Sequence, residues 1–144
     1  MEINIFISHS WKYSHHYNTL YDWIFRQQWK VEKEQLTFKN YSVPQDNPIH
    51  NASNDKELKI EIDKRMKSAS VIVIPTGMYS SYSKWIEKEI NIAKYYSKPI
   101  LAVNPWGQEK KSSIVGNASS KLVGWNKNKV VEAIYNLHKE KVVV

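Results

Sequence analysis

The stretch Val71–Ala93 reads VIVIPTGMYSSYSKWIEKEINIA, and its two ends follow different periods. Val71 to Ile74 is a continuous apolar run, the pattern of a strand covered on both faces. Pro75, Thr76 and Gly77 end it. From about Ser83 to Tyr96 the apolar residues Ile86, Ile90 and Ala93 recur at helical spacing. The chain therefore passes from a buried strand, through a short turn, into an amphipathic helix. A strand hidden on both faces needs helices on both sides of its sheet, which is the arrangement of a parallel α/β domain.

The same alternation extends outward. Ile3 to Ser8 (INIFIS) is a short apolar run suited to a central first strand, and Tyr17, Leu20, Tyr21 and Ile24 follow at helical spacing. Leu36 to Val43 is a weaker strand, ended by Pro44 and the loop PQDNPIHNAS. Asn54 with Glu57 three residues on forms a capping-box pattern before the stripe Leu58, Ile62, Met66, Ala69. Pro99 to Val103 is a second buried strand and Lys121 to Val123 a short edge strand. Asn126 is placed to cap a last helix carrying Val130, Ile134 and Leu137. The expectation is one domain over 1–144, a three-layer flavodoxin-like α/β sandwich on a five-stranded parallel sheet. Right-handed crossovers favour the strand order 2-1-3-4-5, counted along the chain. Ligands of such sheets sit at the carboxyl ends of the strands. That rule selects the loops Ser8–Tyr13, Val43–Asn54, Pro75–Ser83 and Asn104–Ser120.

Composition narrows the chemistry. With 144 residues and 42% hydrophobic content the chain can bury a real core. It has no cysteine, which removes disulfides, thiolate metal sites and cysteine nucleophiles. Twenty-one Lys and Arg against 14 Asp and Glu leave a net charge of +7, which favours anionic partners such as nucleotides. The basic residues are scattered, with pairs such as Lys110-Lys111 and no longer run, so nucleic acid is not the expected partner. No apolar stretch is long enough for a membrane, and MEINIFISHS lacks the pattern of a signal peptide, so a cytoplasmic location is expected. His15 and His16 are adjacent and point about 100° apart on a helix, so no metal site is expected. The four glycines stand at 77, 107, 116 and 124, outside any G-x-G-x-x-G or P-loop pattern. A nucleotide would thus be held in a cleft as substrate, and no cofactor is expected.

One carboxylate stands apart. On a helix beginning near Ser83, Trp85 and Glu89 are four apart and share a face, while Ile86 and Ile90 take the neighbouring core face. Glu89 would then lie at the border of the core, near the first turns. A fixed, partly desolvated carboxylate there is suited to stabilising an oxocarbenium-like transition state. A helical glutamate is ordinarily solvated, and Glu87 is assigned to solvent on that ground.

Ser83-Lys84-Trp85-Ile86-Glu87-Lys88-Glu89 resembles the S-x-W-C-x-x-E pattern of Toll/interleukin-1 receptor (TIR) domains, with Ile86 in place of the usual cysteine. Phe6-Ile7-Ser8-His9-Ser10 resembles the first box of that family. Lys98 to Val103, Pro105 to Glu109 and Gly124-Trp125-Asn126 are similar to the bacterial TIR-like family of Thoeris anti-phage systems. The resemblance runs in order along nearly the whole chain. It implies an enzyme that cleaves NAD⁺, releases nicotinamide, and turns the ADP-ribosyl part into a cyclic ADP-ribose isomer or an ADP-ribose conjugate. That signal would activate a separate effector protein after a phage-derived trigger, and the domain would self-associate. Carried over residue by residue, Glu89 is the catalytic group, as stabiliser of the ribosyl cation or as nucleophile. Ser8, His9 and Trp11 fall on the nicotinamide and ribose side, Asp46 on a further wall and Trp85 beneath Glu89, with Phe6 also among the substrate-binding residues. His9 reads equally well as a turn residue hydrogen-bonded within its loop.

Three other readings share this fold. A non-catalytic TIR-type adaptor would keep the fold without turnover. A phosphorelay receiver needs an acidic pair after the first strand and an Asp ending the third, where this chain has Ser8-His9-Ser10 and Pro75. A nucleoside deoxyribosyltransferase-like enzyme would use a glutamate but act on deoxynucleosides.

Overall fold

Alternation along the strands sorts the apolar side chains into two cores, one on each face of the sheet. The computed structural model describes residues 1–8, 14–43, 55–76, 79–105 and 113–142. The elements run β1 (Glu2–Ile7), α1 (Ser14–Phe25), β2 (Trp29–Val31), β3 (Glu34–Asn40), α2 (Asp55–Ser68), β4 (Val71–Pro75), α3 (Tyr79–Tyr95), β5 (Ile100–Asn104), α4 (Ser113–Ala118), β6 (Lys121–Gly124) and α5 (Lys127–Val142). Ile3, Ile5, Ile7, Val71, Val73, Leu101 and Val103 face one side, where Leu20 and Ile24 of α1 and Val130 and Ile134 of α5 cover them. Phe6, Ile72, Ile74, Ile100 and Ala102 face the other side, under Ile62 and Met66 of α2, Ile86 and Ile90 of α3, and Val115 of α4. This two-sided use of consecutive strand residues is why VIVI reads as an unbroken apolar run.

The sheet order is β2-β3-β1-β4-β5-β6. The β3-β1-β4-β5-β6 pairs are all parallel, which is the expected five-stranded order 2-1-3-4-5. One strand was not expected. β2 pairs antiparallel with β3, Trp29 opposite Leu36 and Val31 opposite Glu34, and extends the sheet to six strands. A two-residue turn, Glu32-Lys33, joins them with both residues at positive φ (51° and 69°). Such turns are normally marked by Asn-Gly or Asp-Gly, and Glu-Lys carries no such signal. Glu32 is held at this turn by α5, where Lys139 Nζ lies 3.2 Å from its carboxylate and the Tyr135 hydroxyl 3.4 Å from it.

Two further boundaries differ from the sequence expectation. α3 begins at Tyr79, about one turn before Ser83, and the Asn104–Ser120 loop contains the short helix α4. α3 ends with Ser97 at φ 54°, Lys98 N–H donating to Ala93 O and Ser97 N–H to Lys94 O, the double closure that terminates a helix through a left-handed residue. Asn126 does cap α5, its Oδ1 accepting from Lys129 N–H at 3.0 Å. No helix among the described residues is long and apolar enough to cross a membrane.

Candidate active site

The carboxyl ends of β1, β3, β4 and β5 converge on one edge of the sheet, and the polar residues there are held by specific bonds. β1 ends at Ile7, and the next residue, Ser8, is wholly buried with its N–H donating to Val73 O of β4 at 2.8 Å. On the other side Ile7 N–H donates to the Ser42 hydroxyl at 2.8 Å. Thr76, at the end of β4, is also buried and donates its hydroxyl to Asn104 Oδ1 at the end of β5.

α3 supplies the carboxyl group. Ile86, Glu89, Ile90 and Ala93 form one stripe of the helix, and the four are 0%, 2%, 4% and 0% exposed. Glu89 thus lies inside an apolar stripe. Because α3 starts a turn early, it sits in the middle of the helix, not near its first turns, and it is fully buried instead of bordering the core. Burial pushes the Glu89 carboxyl up to about 8, while the Ser8 hydroxyl beside it acts in the opposite direction. Ser8 lies close enough to favour the charged form but not in hydrogen-bonding geometry. Glu89 Oε2 and Ser8 Oγ are both buried, and neither has a hydrogen-bond partner among the described residues. Among those residues no charged side chain shifts the group; burial alone carries it upward. An uncompensated buried carboxyl is costly when ionised, so at neutral pH the free protein holds it mainly as the neutral acid. Strongly shifted groups of this kind cluster at functional sites.

The other candidates fall into three groups. Phe6 is 1% exposed and packs among Ile72, Ile74 and Ile86, so it supports the site from within the core and presents no open surface to a ligand. Trp85 is half-buried on the rim of that core, with Lys88 Nζ 4.4 Å and Lys84 Nζ 5.7 Å from its ring centroid. Such contacts steer positive charge to the outer face of the indole. His9, Trp11 and Asp46 lie outside the described residues. Glu87 is exposed, as its position two residues from Glu89 required.

Ser42, Thr76 and Asn104 were not singled out in the sequence. Thr76 and Asn104 lie in strand-end segments that the carboxyl-edge rule selects, whereas Ser42 was read as an ordinary strand residue. Two grooves lie away from this edge. One of about 440 Å³ lies between the β2–β3 turn and α5, the other of about 460 Å³ between α3 and α4, and neither is lined by Glu89 or Ser8.

A mostly parallel sheet in this order is a flavodoxin-like fold, and in it a glutamate of α3 lies buried against the end of β1. Residues 6–110 match the family described as Thoeris protein ThsB, TIR-like domain, and the chain belongs to that family. The match runs from the last two residues of β1 through β5, and takes in Ser8, Ser42, Trp85 and Glu89. Membership places the chain among the TIR proteins of anti-phage defence. No curated protein matches the chain.

Proposed function

We propose that this domain cleaves the nicotinamide glycosidic bond of NAD⁺, with Glu89 as the catalytic group. The observation that carries the proposal is the Glu89 carboxyl itself: buried, set in an apolar stripe, beside the Ser8 hydroxyl, and lacking a countercharge among the described residues. In NAD⁺ the nicotinamide ring bears a positive charge. Bringing that ring beside Glu89 favours the carboxylate, so binding expels the carboxyl proton to solvent. The C1′–N bond then breaks with its electron pair passing to the ring, which leaves as neutral nicotinamide. Positive charge moves to C1′ and the ribose ring oxygen. A carboxylate in an apolar, water-poor setting stabilises that charge far more than it would in water. An acceptor, either water or a hydroxyl or nitrogen nucleophile, attacks C1′ and gives up its proton.

The ADP-ribosyl product, a cyclic isomer or a conjugate, would act as the signal that switches on a separate effector. NAD⁺ is consumed here as a substrate and no cofactor takes part. A phage-derived trigger and self-association of the domain belong to the same reading, and the cytosol is where NAD⁺ and phage components meet. The test is nicotinamide release by concentrated protein, with and without lysate from phage-infected cells, compared with Glu89→Gln. The expected result is release that falls at least a hundredfold in the variant. Release unchanged in Glu89→Gln would remove Glu89 from the chemistry. Absence of release under every condition would leave the adaptor reading.

A further inference from the structure

The first two strands do not pair all the way to the catalytic edge. The β1–β3 register ends at Ile5 opposite Asn40, followed by one more bond from Tyr41 N–H to Ile5 O. Beyond it a side chain replaces the ladder, because Ile7 N–H is satisfied by the buried Ser42 hydroxyl. The last two N–H groups at the end of β1 are therefore held from opposite sides, Ile7 by Ser42 and Ser8 by Val73 O.

Ser42 is itself tied at each of its polar groups. Its N–H donates to Asn40 Oδ1 at 2.9 Å, and Asn40 Nδ2 donates to the Tyr17 hydroxyl of α1 at 3.0 Å. Its carbonyl accepts from Arg65 of α2 at 3.1 Å, and Arg65 Nε is in turn paired with Glu61 at 2.6 Å. Helices from both faces of the sheet thus converge on one small residue, which spends its hydroxyl on the strand that ends in Ser8. Such an arrangement exceeds what strand pairing needs, since a backbone carbonyl would satisfy Ile7 N–H equally well.

We propose that Ser42 is a positioning residue: by fixing the end of β1 it holds the Ser8 hydroxyl against the Glu89 carboxyl. It acts through Ser8 and does not touch the reacting atoms. Only its effect on turnover rests on the NAD⁺-cleaving reading. The charged groups around Glu89 leave Ser8 as the element to be moved. On α2, Glu61 and Arg65 are paired with each other; on α3, Lys84 and Lys88 lie against the Trp85 ring and Glu87 is exposed.

The test is the titration of the Glu89 side-chain carboxyl, followed by carbon NMR and assigned by its loss in Glu89→Gln. Parent, Ser8→Ala, Ser42→Ala, Ser42→Thr and the Ser8→Ala/Ser42→Ala double variant are compared without any ligand. Ser42→Ala is expected to move the midpoint upward, in the same direction as Ser8→Ala, with no further shift in the double variant. Ser42→Thr, which keeps the hydroxyl, should titrate like the parent. If Ser42→Ala does not fold, Ser42→Cys keeps the volume with a much weaker acceptor and takes its place. A parent-like midpoint in Ser42→Ala while Ser8→Ala shifts, or fully additive shifts in the double variant, would overturn the proposal. In nicotinamide release, Ser42→Ala should lower kcat about tenfold with KM little changed, Ser42→Thr restoring it. A parent without nicotinamide release would end the NAD⁺ reading, and the titration would still decide the role of Ser42.

Discussion

The two faces of the sheet bury similar amounts of aliphatic side chain but treat polar groups differently. The α1/α5 face is rich in rings: Trp23 and Trp125 meet in a tilted contact at 5.0 Å, His16 meets Trp125 edge-on at 5.5 Å, and Tyr21 contacts Phe25 at 5.3 Å. Trp29 joins this group through a bond from its indole N–H to Trp23 O. The α2/α3/α4 face is mostly aliphatic and holds Glu89. On each face burial drives a titratable group toward its neutral form. His16 is lowered by desolvation and by the neighbouring His15, whereas Glu89 is raised by desolvation. The imidazole rests among polarisable rings that tolerate it, while the carboxyl rests among methyl groups that do not. On the proposed function, the aliphatic face carries the reactive group and the ring-rich face serves stability.

The largest effect expected from this contrast lies in Glu89. Its folded value of about 8 lies above the reference value of 4.5, so the native state holds the proton more tightly than the unfolded chain between those limits. Stability from this group is full below about pH 4.5 and is lost as pH rises through 8. Glu89→Gln removes that loss. Urea unfolding of the two proteins should coincide near pH 4 and diverge by several kcal/mol above pH 8, at about 1.4 kcal/mol per pKa unit. Curves that stay parallel from pH 4 to 9 would show that Glu89 is solvated in the free protein and would break the comparison.

His16 sharpens the contrast from the acid side. Its folded pKa lies below 6.5, so its contribution is complete above that value and is lost as pH falls through the lowered one. His16→Gln should shift the acid-unfolding midpoint to lower pH without altering the Glu89 titration. A matching change at Glu89 would mean that the two faces are coupled through the sheet.

The smallest effect belongs to the Glu32-Lys33 turn on the ring-rich face. Replacing it with Asn-Gly relieves two left-handed non-glycine residues and should raise stability by about 1 kcal/mol. The loss of the exposed Glu32–Lys139 pair offsets little of this. Nicotinamide release should be unchanged, and a change would place function on the face assigned to stability.

How much of this was legible in the sequence depended on the range of the interactions. Unbroken apolar runs such as VIVI and ILAV announce strands buried on both faces, and helical spacing at 86, 90 and 93 announces the stripe that faces them. These signals are local, and they sufficed for the parallel order of five strands and for the segment carrying Glu89. β2 was hidden because its turn residues, Glu32-Lys33, are not of the Asn-Gly or Asp-Gly type that marks a two-residue hairpin, and their contacts with α5 are about a hundred residues distant in sequence. The first turn of α3, from Tyr79 to Tyr82, consists of four serine and tyrosine residues before the apolar stripe begins, so its start left no mark.

The sequence by itself determined the layered α/β architecture and the family resemblance, and it singled out Glu89 as the candidate carboxyl, because residue type and spacing encode such features. Only the tertiary structure decided that Glu89 is fully desolvated, that Ser8 is its polar neighbour, and that Ser42 closes the end of β1. Desolvation is a property of everything packed around a group, and the side chains that share the core with Glu89 come from strands and helices distributed along the chain.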